Sequence, residues 1–242
     1  MKITYCCNSG FQLAQDGILL VFDYIGGSGV PPVTKDFLQG FDRVYVFASH
    51  AHSDHYDPVV LKWDEWHGRL AYVFSEDIQR KLGRKIKPGM VFLAPGGSWA
   101  DEDIRVTAYG STDEGVSFHV KMGEISLFHA GDLNDWHWKS ESTVQEVAAM
   151  KKAFTAILDN IEANAGRLDV AMFPVDPRLG QDFHEGADAF IERFSPRLFA
   201  PMHFRRDAWA VDTFIGKHPE KAKTIWRIQQ PGQSLDFDMD AT

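Results

Sequence analysis

The run Ser49-His50-Ala51-His52-Ser53-Asp54-His55 constrains this chain more than any other feature. Three histidines and an aspartate fall within six residues, directly after the apolar segment 43–48 (Arg-Val-Tyr-Val-Phe-Ala). In an extended segment, residues i and i+2 point to the same side, so His50 and His52 can face one metal ion. A turn immediately afterwards lets Asp54 and His55 face a second. Neutral imidazole and carboxylate suit Zn²⁺, Mn²⁺ or Fe²⁺. Two such ions about 3.5–4 Å apart can activate water and take up charge on a developing oxyanion. The plainer reading is a solvated polar loop, but ten histidines in 242 residues rarely crowd together in this way by chance.

The rest of the chain reads as alternating strands and helices. Segment 2–7 is a strand, and Asp16-Gly17 turns a hairpin between 11–14 and 18–24. Gly26-Gly-Ser-Gly-Val-Pro-Pro is a loop. Asp57-Pro58 opens a helix over 57–67, and Ser75 caps one over 76–82 that Gly83 stops. Strands are expected at 70–74, 90–94, 104–109, 115–121, 124–129, 168–174, 197–202, 223–228 and 234–238. Helices are expected at 142–165, 185–194 and 207–217, the first with an apolar stripe from Val144 to Ile161. Two groups of strands with helices between and after them predict an α/β sandwich.

Composition narrows the function. A formal net charge of −9 disfavours nucleic-acid binding. No apolar run reaches the roughly 18 residues of a membrane span. The only cysteines, Cys6 and Cys7, are adjacent and give no disulfide framework, so the chain reads as a reduced cytoplasmic protein. The oligomeric state is not legible.

The pattern His-x-His-x-Asp-His after a short strand resembles the signature of the metallo-β-lactamase superfamily. The resemblance runs from about residue 2 to 238 and implies a single domain, a four-layer αββα sandwich. It also implies further ligands downstream. Phe128-His129-Ala130-Gly131-Asp132 resembles the family's Gly-Asp motif, with Asp132 bridging two metals. Ala200-Pro201-Met202-His203-Phe204 resembles the last ligand motif, with His203 on the second metal. Asp23 resembles an aspartate that orients ligand histidines, and His129 reads as another supporting residue. By pattern the loops lie nearest the ascorbate-phosphate lactonase-like branch.

One departure stands out. The family places a further histidine before the Gly-Asp motif, where this chain reads Tyr109-Gly110-Ser111-Thr112-Asp113. Three alternatives stay open: Ser111 or Asp113 stands in for it, His137 reaches in from beyond Asp132, or the first site holds its metal weakly.

The resemblance implies a hydrolase with one or two divalent ions, Zn²⁺ or Mn²⁺ before Fe²⁺. Asp54 and Asp132 would act in catalysis, on a small and anionic ester, lactone or phosphoester. Trp136, Trp138, Arg178, His184 and Arg205 are the substrate-side candidates, because aromatic walls and arginines beside metals hold anions. An iron-dependent oxidoreductase of the same fold and a non-catalytic metal-binding module stay open.

Overall fold

The computed structural model describes residues 1–27 and 32–238. Part of the expected loop at 26–32 and the end of the acidic C-terminus lie outside the described residues. The described residues divide into two compact units. One holds 1–93 together with 230–238, and the other holds 94–229.

The first unit is built on a seven-stranded sheet. Its strands are β1 (Lys2–Cys7), β2 (Gly10–Gln15), β3 (Ile18–Phe22), β4 (Arg43–Ala48), β5 (Leu70–Ser75), β6 (Val91–Leu93) and, from the chain end, β13 (Ser234–Asp236). They lie in the order β13-β1-β2-β3-β4-β5-β6. The β13, β1, β2 and β3 strands pair antiparallel, whereas β3, β4, β5 and β6 run parallel. The hairpin forms as expected. Gln15 pairs with Ile18, and Asp16 and Gly17 both adopt positive φ, the conformation a two-residue hairpin turn demands. Strand β4 is buried along nearly its whole length, as a strand covered on both faces must be. One face carries a core of Val44, Val46, Tyr72, Phe74, Trp63 and Ile78, closed by helices α1 (Lys35–Gln39) and α2 (Glu76–Leu82).

The second unit holds a six-stranded sheet. It comprises β7 (Ser98–Ala100), β8 (Ile104–Tyr109), β9 (Ser117–Met122), β10 (Ile125–His129), β11 (Val170–Pro174) and β12 (Leu198–Met202). The order is β12-β11-β10-β9-β8-β7. Here β10, β11 and β12 run parallel, and the remaining pairs are antiparallel. Helices α3 (Val144–Ala165), α4 (Glu185–Phe194) and α5 (Trp209–Lys217) complete the unit. Phe173 stacks on Phe190 at 4.5 Å, and Phe128 on Phe190 at 5.3 Å, so α4 is fixed to the sheet by aromatic packing.

Several local expectations are corrected. Segment Pro58–Glu65 is a 3-10 helix, its buried Val60 and Trp63 spaced at the three-residue period of that turn. Asp57 does cap it, accepting from the Val59 amide at 2.9 Å. Ser75 holds the N-cap position of α2, but its side chain makes no capping hydrogen bond. Helix α3 starts at Val144 under a Thr143–Glu146 capping box. Its buried stripe begins only at Phe154, and Val144 is 81% exposed. Segment 223–228 forms a single bridge, Ile225 to Phe199, and not a strand. The short elements α1 and β7 were absent from the sequence reading because five and three residues carry too little periodicity.

A candidate metal centre at the ends of parallel strands

In both units the predicted site residues, and Asp176 beside them, follow the carboxyl ends of parallel strands. Asp23 follows β3, and Ser49–His55 follows β4. Asp132 lies three residues after β10, Asp176 two after β11, and His203 directly after β12. At such ends the backbone leaves the ladder and side chains converge, which is where open α/β sheets bind ligands.

In the first unit, Asp23 organises the histidine run. It has left the strand with φ 44°, a left-handed conformation that aspartate tolerates better than most residues. Its Oδ1 accepts from the Ser49 amide and its Oδ2 from the Ser49 hydroxyl, both at 2.7 Å. The same Oδ2 lies 2.7 Å from His55 Nδ1, and both side chains are fully buried. An ionised carboxylate can only accept, so in the neutral His55 ring Nδ1 carries the proton and Nε2 the lone pair. His50 Nδ1 meets the Ser49 hydroxyl at 3.0 Å, and its Nε2 lies 2.9 Å from His52 Nδ1. His55 Nε2 is 3.9 Å from Asp54 Oδ2. Asn8 donates to the Asp54 carbonyl at 3.2 Å and to its Oδ2 at 3.4 Å, which fixes that carboxylate. Below the run, Asp77 accepts from the Ala51 amide and Lys81 donates to the Ala51 carbonyl.

The second unit repeats the device. His203 is buried with φ 66°. Its Nδ1 lies 2.6 Å from Asp176 Oδ2, and its Nε2 lies 3.2 Å from Asp132 Oδ1. Burial disfavours a charged His203, but Asp132 and Asp176 together push its pKa up. Asp176 is pulled the other way. Burial would raise it, yet hydrogen bonds from His203 and Arg178 hold its carboxyl down at about 2. Arg178 grips Asp176 through Nε, at 3.0 and 2.9 Å from its two oxygens, and through a terminal nitrogen. It also reaches His203 Nδ1 at 3.2 Å.

These donors fit metal ions. Two ligand atoms bound about 2.1 Å from one ion stand roughly 3–4.2 Å apart. The His203–Asp132 distance of 3.2 Å and the His55–Asp54 distance of 3.9 Å fall in that range. His55 and His203 each also have a carboxylate at the Nδ1 nitrogen, the support that metal-bound imidazoles usually have.

The other sequence candidates are placed as follows. Trp136 is buried, donates to the Asp132 carbonyl at 2.6 Å and lies edge-on to His203. Trp138 is 40% exposed, runs parallel to Trp136 at 6.3 Å and donates to the Arg178 carbonyl. Arg178 lies over Trp136. His129 is buried and accepts from the Gly131 amide at 3.2 Å. The Ser111 hydroxyl accepts from the Asp113 amide at 3.2 Å, and Asp113 is exposed. Arg205 is exposed, and His184 pairs with Asp188 at 2.6 Å across one turn of α4. His137 is brought to Asp135 and Glu185.

Asp176 and Asn8 escaped the sequence reading as site residues. Asp176 had a signal, since Phe173-Pro-Val-Asp176 leaves its strand much as Val21-Phe-Asp23 leaves β3. Asn8 had none, because its partner Asp54 is 46 residues away.

Comparison with known proteins agrees with this architecture. Residues 2–203 match the family described as the β-lactamase superfamily domain. A protein of Ignicoccus hospitalis described as a UPF0173 metal-dependent hydrolase is 22% identical over 98% of both chains. The solved structure of Igni18, a metallo hydrolase of the same archaeon, superposes with a TM-score of 0.67 at 19% identity, over 98% of this chain and 99% of that one. CmlA, a diiron β-hydroxylase of Streptomyces venezuelae, superposes with a TM-score of 0.65 at 12% identity, over 98% of this chain and 54% of that one. The chain therefore belongs to the β-lactamase superfamily, with a fold shared by the metallo hydrolase Igni18.

Proposed function

We propose that His50, His52, Asp54 and His55 in the first unit and Asp132 and His203 in the second are ligands of one or two divalent cations, Zn²⁺ or Mn²⁺. The substrate is a small anionic ester, lactone or phosphoester. The observation that carries this reading is the paired aspartate support: Asp23 on His55 at 2.7 Å and Asp176 on His203 at 2.6 Å. Each aspartate fixes one ring nitrogen as donor and presents Nε2 with its lone pair, an arrangement a purely structural histidine does not need.

When bound, such a cation supplies Lewis acidity and makes water a nucleophile near neutral pH. Asp54, steadied by Asn8, orients the attacking water and receives its proton. Asp132 would hold a cation through its carboxylate, beside His203. Trp136 and Trp138 wall the approach, and Arg178, Arg205 and His184 supply positive or hydrogen-bonding groups for an anionic substrate. The first site is altered. His50, His52 and Asp132 would be its donors, with Ser111 or Asp113 completing it weakly or through water. His129 and Asp23 support the ligand loops from behind. The whole chain works as a single domain in a reducing cytoplasm, in keeping with Cys6 and Cys7 as thiols that form no disulfide. Among the described residues no helix is long and apolar enough to cross a membrane.

The donor set would also accept iron, and CmlA shares the fold. Hydrolysis is preferred because the sequence relative is described as a hydrolase. The test is metal content by elemental analysis, on protein purified without chelator or nickel, alongside turnover of ester, lactone and phosphodiester panels. Wild type is expected to hold at least two equivalents, His50→Ala one fewer, and His55→Ala to lose turnover by at least 100-fold. Absence of metal from the wild type would overturn the proposal and leave a non-catalytic module.

A further inference from the structure

A second cluster of metal-binding side chains lies within the second unit, on residues that the proposed centre does not need. Asp135 and His137 sit two residues apart in the loop after Asp132, and Glu185 is the first residue of α4. Asp135 and His137 are each 2% exposed. His137 Nδ1 lies 3.2 Å from Asp135 Oδ1, and its Nε2 lies 3.6 Å from Glu185 Oε2. Yet neither ring nitrogen of His137, nor Asp135 Oδ1, makes a hydrogen bond of acceptable geometry. Buried polar atoms are nearly always satisfied, and the unsatisfied Asp135 Oδ1 and His137 ring nitrogens point to a missing partner.

The missing partner is cationic. One donor atom from each of the three residues lies within 4.8 Å of the other two, close to the separation of ligands around a single ion. Three carboxylate and imidazole donors form a common binding set for first-row divalent ions, with open positions for water. We infer that Asp135, His137 and Glu185 form a further divalent-cation site, separate from the proposed centre.

The fold builds this arrangement on purpose-made packing. At Gly186 a Cβ would fall 1.9 Å from Asn134 Oδ1 and 2.9 Å from the Asp135 amide. Only glycine lets the start of α4 approach the Asn134–Asp135 backbone so closely, and that approach sets Glu185 opposite His137. Lys139 occupies Glu185 Oε1 at 2.5 Å, while Oε2 faces His137. The Lys139 side chain is 43% exposed, so it can withdraw into water as an ion enters.

The test is equilibrium dialysis of the full chain against micromolar Zn²⁺, with bound metal counted by elemental analysis. Wild type is compared with His137→Ala, Glu185→Gln, Lys139→Met and His50→Ala. His137→Ala is expected to bind one equivalent fewer than wild type, and Glu185→Gln to bind that equivalent at least tenfold more weakly. Lys139→Met is expected to bind it several-fold more tightly, because a competing charge is gone. His50→Ala is expected to retain it. Equal stoichiometry and affinity in wild type and folded His137→Ala, judged by circular dichroism, would overturn the inference. Should His137→Ala fail to fold, unchanged Zn²⁺ affinity in Glu185→Gln would overturn it equally. If His50→Ala loses nothing while His137→Ala does, the proposed hydrolytic centre fails and this site stands.

Discussion

The carboxylate of Asp23 binds Ser49 and His55 at once, with its Oδ1 2.7 Å from the Ser49 amide and its Oδ2 2.7 Å from His55 Nδ1. One buried side chain thus sets both the path of the backbone into the histidine run and the tautomer of His55, a proposed ligand.

Asp23→Asn tests that double duty. Asparagine keeps the left-handed backbone accessible, so the change isolates the carboxylate. The amide offers one acceptor oxygen where three donors converge, and its NH₂ opposes the His55 Nδ1 proton. Metal retention against a chelator is expected to weaken roughly 10–100-fold. Stability to urea should fall by about 2 kcal/mol, from buried donors left without partners. Unchanged metal retention would show that Asp23 is only a packing residue.

Gly186→Ala has opposite consequences by helix propensity and by packing. In a solvent-facing helix the change would stabilise by about 1 kcal/mol. Here the new Cβ meets Asn134 Oδ1, and something must move. We expect a net loss on the order of 2–3 kcal/mol in urea unfolding. A gain in stability would mean that the 134–135 loop yields easily.

His119 gives a pH dependence far from any ligand. It is buried in β9 with Nε2 2.8 Å from the Ser126 hydroxyl. Burial, and secondarily Lys121, lowers its pKa to about 4. The unfolded chain binds a proton near pH 6.5 that the folded chain refuses until about pH 4, so stability falls as pH drops through that window. Wild type should lose on the order of 2 kcal/mol from this group between pH 7 and pH 4.5. His119→Gln should lack that loss, so unfolding of the two proteins must converge at the lower pH. A constant difference would contradict the assignment.

The proposed ligands were legible as candidates in the sequence because each lies just past an apolar strand that the chain must bury. A run such as Arg43–Ala48 announces its own burial, and the polar residues directly after it are held at the strand's end. The hairpin at Asp16-Gly17 was legible for a similar reason, since both residues accept positive φ. Helix α3 was placed correctly over most of its length, but its exposed first turns were not. Apolar periodicity reports a stripe, and only neighbours decide whether the stripe is covered.

The sequence by itself determined the family, most of the strands and helices, and the donor types at each strand end. Tertiary structure alone decided which residues meet. Asp176 finds His203 across 27 residues because β11 and β12 are parallel neighbours whose ends lie side by side. Glu185 finds His137 because Gly186 admits a close approach that no local pattern encodes. Contacts of that kind depend on packing between distant elements, and no single segment of sequence carries the information.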